Sequence, residues 1–161
     1  MPKKKLLIKD KIFETYSDQV LEYEKEPKSV FMFCKKIGID ESDFYKNFSS
    51  LEHVKEAIFV KFFDNAYYLI SKEKNYDKQS PKEKLLLFYY TFFEVLFLNR
   101  SYVLFALTAS GNKMEQLMSL KSLRTSFKKF AFGLIEEGNM QKNSQFTKHP
   151  ETLFSEGAWI Q

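Results

Sequence analysis

Residues 29–56, SVFMFCKKIGIDESDFYKNFSSLEHVKE, constrain this chain more than any other stretch. Apolar residues at helical spacing (Val30, Phe33, Cys34) stop at Ile37-Gly38-Ile39-Asp40. Gly38 has no Cβ and accepts the positive φ of a left-handed helix end. Asp40 is of the residue type that caps a following helix, so a short helix is expected over about 41–47. The aromatic segment FYKNF (44–48) closes that helix, and Ser49-x-x-Glu52 has the spacing of a capping box that opens a fourth. Two short helices joined by a Gly-containing turn form the helix-turn-helix pattern, whose second helix lies in the DNA major groove. Yet that second helix opens with Asp40, Glu41 and Asp43, carboxylates where phosphates would come close.

The rest of the chain also reads as helix. Ile8, Ile12, Phe13, Tyr16, Val20 and Tyr23 recur at helical spacing, giving a first helix over about 8–25 that Pro27 ends. The fourth helix turns Leu51, Val54, Ile58, Phe62 and Ala66 toward a core and runs to about Ser71; 72–79 has no apolar period. Ser80-Pro81-x-Glu83 supplies an N-cap, a proline at the first helical position and the returning carboxylate of a capping box, so a fifth helix is expected over about 81–98. A sixth is expected over 101–109. A seventh is expected over 114–136, with Leu117, Leu120, Leu123, Phe127, Phe130, Ala131 and Leu134 buried and Gly138-Asn139 as its stop. Residues 139–149 read as loop, and Pro150 as the start of a further helix. No strand pattern or internal repeat interrupts the series, so the fold class is all-α, divided near residue 65 into 1–65 and 66–161.

Composition narrows the function. The single cysteine, Cys34, excludes an intramolecular disulfide and a cysteine-based zinc cluster, and His53 and His149 are too few for a histidine metal site. The longest apolar run, Leu85 to Leu98, is 14 residues with Glu94 inside it, too short to cross a bilayer. No signal sequence is visible, and the cytoplasm is the expected compartment. No Gly-rich phosphate loop, nucleophile elbow or paired-carboxylate motif points to catalysis, so neither an enzyme nor a bound cofactor is expected. Residues 1–65 hold 12 Lys/Arg and 12 Asp/Glu, a net charge of zero, whereas 66–161 hold 13 and 9, a net of +4. A DNA-binding module ordinarily concentrates positive charge on one face. Here the excess lies in the other half, notably at Lys121, Arg124, Lys128 and Lys129.

Residues 8–65 resemble the N-terminal DNA-binding domain of TetR-family transcriptional regulators. Ser29 matches that family's cap of the first motif helix, Phe33 and Cys34 its buried pair, Gly38 the turn glycine and Ile39 the aliphatic after it. Phe44, Tyr45 and Phe48 match the aromatic clasp, and Val54 the apolar anchor of the next helix. The lysine that commonly touches a phosphate at the start of the fourth helix is absent; the matching position is Leu51 or its neighbour Ser50. The resemblance implies a helix-turn-helix domain followed by a helical ligand-binding and dimerising body, here short at its C-terminal end.

It also implies a ligand-responsive regulator that acts as a homodimer, with DNA and a small apolar ligand as partners and no membrane insertion. Lys28, Ser29, Ser42, Asp43, Tyr45, Lys46 and Ser50 are its candidate DNA-binding residues. Bland roles stand beside these: Tyr45 packing on the first helix, Lys46 solvated, and an acidic helix start complementing the helix dipole. Phe88, Phe92, Phe93, Phe97, Phe105 and Phe127 are candidates either for a ligand pocket or for plain core. Glu94 is expected to pair with Arg100 or with a ligand, or to face solvent. Two rival readings keep the helices: a TetR-fold lipid or isoprenoid binder that no longer binds DNA, and a protein-interaction module using the basic seventh helix.

Overall fold

The computed structural model describes residues 2–109, 112–140 and 151–160, with side chains from 8–109, 112–140 and 155–159. The described residues contain helices α1 (Pro2–Tyr23), α2 (Val30–Ile37), α3 (Glu41–Tyr45), α4 (Leu51–Ser71), α5 (Pro81–Leu98), α6 (Arg100–Thr108), α7 (Lys113–Ser119), α8 (Lys121–Met140) and α9 (Glu151–Ile160), with a 3₁₀ turn at Tyr76–Lys78 and no strand. The described residues are all-helical, as the resemblance implies. No single described helix is long and apolar enough to cross a membrane.

Two compact units are present, and neither is continuous in sequence. The first joins residues 1–58 to 99–120, and the second joins 59–98 to 121–161. The units cut across the division at residue 65, because α6 packs on α1 as well as on α7 and joins the first unit. In the first unit, Ile12, Tyr16 and Val20 of α1, Phe33 of α2, Phe44 of α3 and Val54 of α4 are essentially inaccessible to solvent. Phe88 centres the second unit, its ring 4.9 Å from Phe63, 4.8 Å from Phe130 and 5.8 Å from Phe127. Burying such side chains contributes roughly 1.5–3 kcal/mol each, which makes these aromatic clusters the main stabilising terms.

Several local expectations shift. The first helix begins earlier and ends at Tyr23, whose ring is exposed. The N-cap of α4 is Ser50, not Ser49: its Oγ accepts the His53 N–H at 3.2 Å. Ser49 is engaged by the His53 ring instead, its hydroxyl 3.2 Å from Nδ1. Asp40 precedes α3, but its side chain makes no capping bond. The predicted seventh helix is two helices, α7 and α8, separated at Leu120. Near the break the Ser119 hydroxyl donates to the Gln116 carbonyl at 2.6 Å, a local bond that competes with regular helix. Leu117 is consequently exposed rather than buried.

Gly138 and Asn139 do not stop α8, which runs to Met140. A Cβ at Gly138 would stand 3.5 Å from Pro81 Cγ, an ordinary van der Waals contact, so α8 passes close to the start of α5 without requiring glycine there. The loop expected over 139–149 otherwise lies outside the described residues. The fifth helix begins and ends where the sequence places it. Ser80 N–H and hydroxyl both donate to Glu83 Oε2, at 2.8 and 2.7 Å, closing the capping box.

Candidate nucleic-acid interface

The turn between α2 and α3 is built as its residues dictate. Gly38 adopts φ 68°, ψ 43°, the left-handed conformation. Its N–H and that of Ile39 (3.2 Å) both donate to the Cys34 carbonyl, satisfying a group that the helix end would leave unpaired. Behind the turn, the Phe33 and Phe44 ring centroids lie 6.1 Å apart, Phe44 and Phe48 6.0 Å, and Phe48 and Phe13 of α1 5.3 Å. This clasp fixes α3 by its buried side and leaves Glu41, Ser42, Tyr45 and Lys46 exposed. The Cys34 thiol is buried beneath the turn. Desolvation pushes its pKa up, with Glu41 and Asp40 adding to the shift, so the sulfur is held as a protonated thiol.

Each candidate DNA-binding residue lies in the first unit, and several are already engaged. Ser29 caps α2, its Oγ accepting the Met32 N–H at 3.2 Å, and Ser50 caps α4. The Ser50 hydroxyl also hydrogen-bonds Glu52, which with the Glu52 backbone holds that carboxyl below its ordinary pKa. Lys46 Nζ lies 2.8 Å from Asp43 Oδ1, and the Asp43 carboxylate raises the lysine pKa. The half-buried Asp43 also accepts a hydrogen bond at its carbonyl from Asn47 Nδ2 at 2.8 Å. Tyr45 is 53% exposed, its ring meeting Phe44 edge-on at 5.5 Å. Lys28 and Ser42 face solvent. Leu51, where a phosphate-binding lysine would be looked for, is only 8% exposed and belongs to the core.

One anchoring interaction has no local signature in the sequence. Lys55 Nζ on α4 donates to Glu26 Oε1 at 2.9 Å across 29 residues, tying down the connection that leads to Lys28 and Ser29. Lys55 is 9% exposed, and an ammonium so buried needs such a partner.

The six candidate pocket aromatics differ in unit and in exposure. Phe88 and Phe127 are core, and Phe92 stacks on Phe88 at 5.5 Å. Phe93 and Phe97 are exposed on α5, as is Glu94. Phe105 is in the first unit, beside an acid-rich groove that includes Glu26, Glu52 and Glu115. The second unit carries a different groove, of about 590 Å³, between α4, α5 and α8. Phe63, Tyr67, Tyr76 and Phe130 face it, together with the nearly buried Lys84. Lys84 occupies a helical register with Phe88 and Val95, an apolar stripe in which a lysine signals a buried partner. No group of three or more potential metal ligands is found among the described residues.

Residues 84–161 match the sequence family of the tetracyclin repressor-like, C-terminal domain. No curated protein matches the chain. A crystal structure from Syntrophomonas wolfei str. Goettingen, assigned to the TetR-family transcriptional regulators, shares the fold with a TM-score of 0.68. The similarity spans 98% of this chain and 78% of that one at 16% identity. Neither comparison favours the lipid-binding alternative. The C-terminal half is thus similar in sequence to the tetracyclin repressor-like C-terminal domain, and the chain as a whole shares the fold of a TetR-family regulator.

Proposed function

We propose that the chain is a ligand-responsive transcriptional regulator that reaches DNA through α2 and α3. The left-handed Gly38 turn carries this reading, because it joins the two helices over an aromatic clasp and leaves Ser42, Tyr45 and Lys46 exposed on one short helix. In this reading the Tyr45 hydroxyl and Lys46 contact phosphates. Ser42 and Asp43 face base edges, and Lys28, Ser29 and Ser50 approach the backbone at the starts of α2 and α4. Residues 1–65 act as the DNA module and 66–161 as the sensing and dimerising body. Two copies read two half-sites, and ligand binding in the body shifts the population of spacings between the DNA modules. The role is regulatory and non-catalytic, carried out in the cytoplasm.

Few phosphate-neutralising groups remain free on α3, so binding is weak and the slope of log affinity against log salt is shallow, near 0.9 per phosphate contact. Selection of bound fragments from genomic DNA at low salt tests the reading, with Tyr45→Phe and Lys46→Ala as controls. Enrichment of a common sequence, weakened by both substitutions, is the expected result. Failure of the folded protein to retain any DNA at low salt overturns it.

A further inference from the structure

We propose that the groove between α4, α5 and α8 binds a flat aromatic anion, of the aryl carboxylate or sulfonate class. Its regulatory meaning rests on the reading above; its occupancy does not. The volume, about 590 Å³, lies within the roughly 300–1,000 Å³ of small-molecule sites. Its aromatic wall is pre-formed: Phe130 meets Phe63 at 6.2 Å and Tyr67 at 5.6 Å. Opposite polarity stands at one side, where Lys84 Nζ donates to both Glu137 oxygens, at 2.8 and 2.9 Å, and lies 5.3 Å from the Tyr76 ring centroid.

Charge decides the ligand class. Glu137 is neutralised by Lys84, and Asp64 is already engaged within the fold. Lys129 is exposed at the groove and has no ion-pair partner among the described residues. Burial raises the Tyr76 phenol to about 12, so it stays protonated and able to donate. The uncommitted groups are therefore a cation and hydroxyl donors, which suit an anionic head beside an aromatic body. At Gly133 a Cβ would meet nothing within 4 Å, so this wall has room for a ring.

The test uses the full chain without DNA and three probes of one shape: 2-naphthoate, 2-naphthol and 2-naphthylmethylammonium, measured by calorimetry. Naphthoate is expected to bind at least about tenfold tighter than the ammonium, the effect of one charge-assisted contact. Lys129→Glu is expected to remove that preference. Gly133→Leu fills the groove and is expected to abolish binding with an unchanged helical spectrum. If Gly133→Leu does not fold, Lys129→Glu, at an exposed residue, still decides. Equal affinity for all three probes, no measurable naphthoate binding, or naphthoate binding that survives Lys129→Glu overturns the proposal. Loss of the proposal leaves the DNA selection result standing, and the reverse also holds.

Discussion

Lys46, at the C-terminal end of α3, is held by Asp43 one turn earlier, Nζ to Oδ1 at 2.8 Å, so the lysine best placed for a phosphate already has an anion. Their side chains are 67% and 32% exposed, a setting in which such a pair adds little stability. Asp43→Asn is therefore expected to leave the melting temperature nearly unchanged and to free Lys46. DNA affinity at low salt rises several-fold, and the salt slope steepens by about 0.9, one phosphate contact. Filter binding across a salt series checks it. An unchanged slope would mean that Lys46 does not reach DNA.

Leu51→Lys restores the family's lysine in sequence only. Leu51 is 8% exposed, and an ammonium placed there loses solvation without a partner. The expected outcome is a loss of about 2 kcal/mol or more in denaturant unfolding, with no gain in DNA affinity. A stable variant with tighter DNA binding would show that the start of α4 can turn this side chain outward.

Gly38→Ala isolates a backbone effect. No atom lies within 4 Å of the added Cβ, yet φ is +68°. The strain of a left-handed L-residue, about 1–2 kcal/mol, is the expected destabilisation. Gly38→Asn should lose less, because asparagine tolerates this conformation. Chemical denaturation of both variants distinguishes the two magnitudes.

The Lys84–Glu137 pair spans 53 residues and ties α5 to α8. Glu137→Gln leaves a lysine that is only 7% exposed without its counter-charge. The carboxylate is 34% exposed, which brings the expected loss to about 2–3 kcal/mol, at or below the range for a fully buried pair. Replacing both partners, Lys84→Met with Glu137→Leu, should recover most of that loss. A double-mutant cycle measures the difference.

Acid weakens the fold through three carboxyls, two in the first turns of α4 and α5 and one within α9. Hydrogen bonds from Ser80, from Ser50 and from Lys128 hold Glu83, Glu52 and Glu156, respectively, below the usual carboxylate value of 4.5. A lowered folded pKa stabilises above the unfolded value, so the contribution is complete above pH 4.5 and disappears as pH falls through the folded values. Tyr76 works in the opposite direction: its folded pKa, about 12 against 10, gives stability that is full below pH 10 and lost as pH rises toward 12. Thermal melts from pH 2 to 12 are expected to fall at both ends. Ser80→Ala should flatten part of the acid limb.

The sequence by itself determined most of the helices and the turn that matters. Gly38, the Ser80-Pro81-x-Glu83 box and the apolar periods act over three or four residues, the reach of a helical hydrogen bond, and so can be read along the chain. Tertiary structure decided what depends on distant partners. It carried α8 past Gly138 where Pro81 comes close, and it buried Lys55 and Lys84 against glutamates 29 and 53 residues away. An apolar period says that a helix has a buried face; only packing says what that face meets. For the same reason Leu51, Phe93 and Phe97 could be named from the sequence, but their exposure could not.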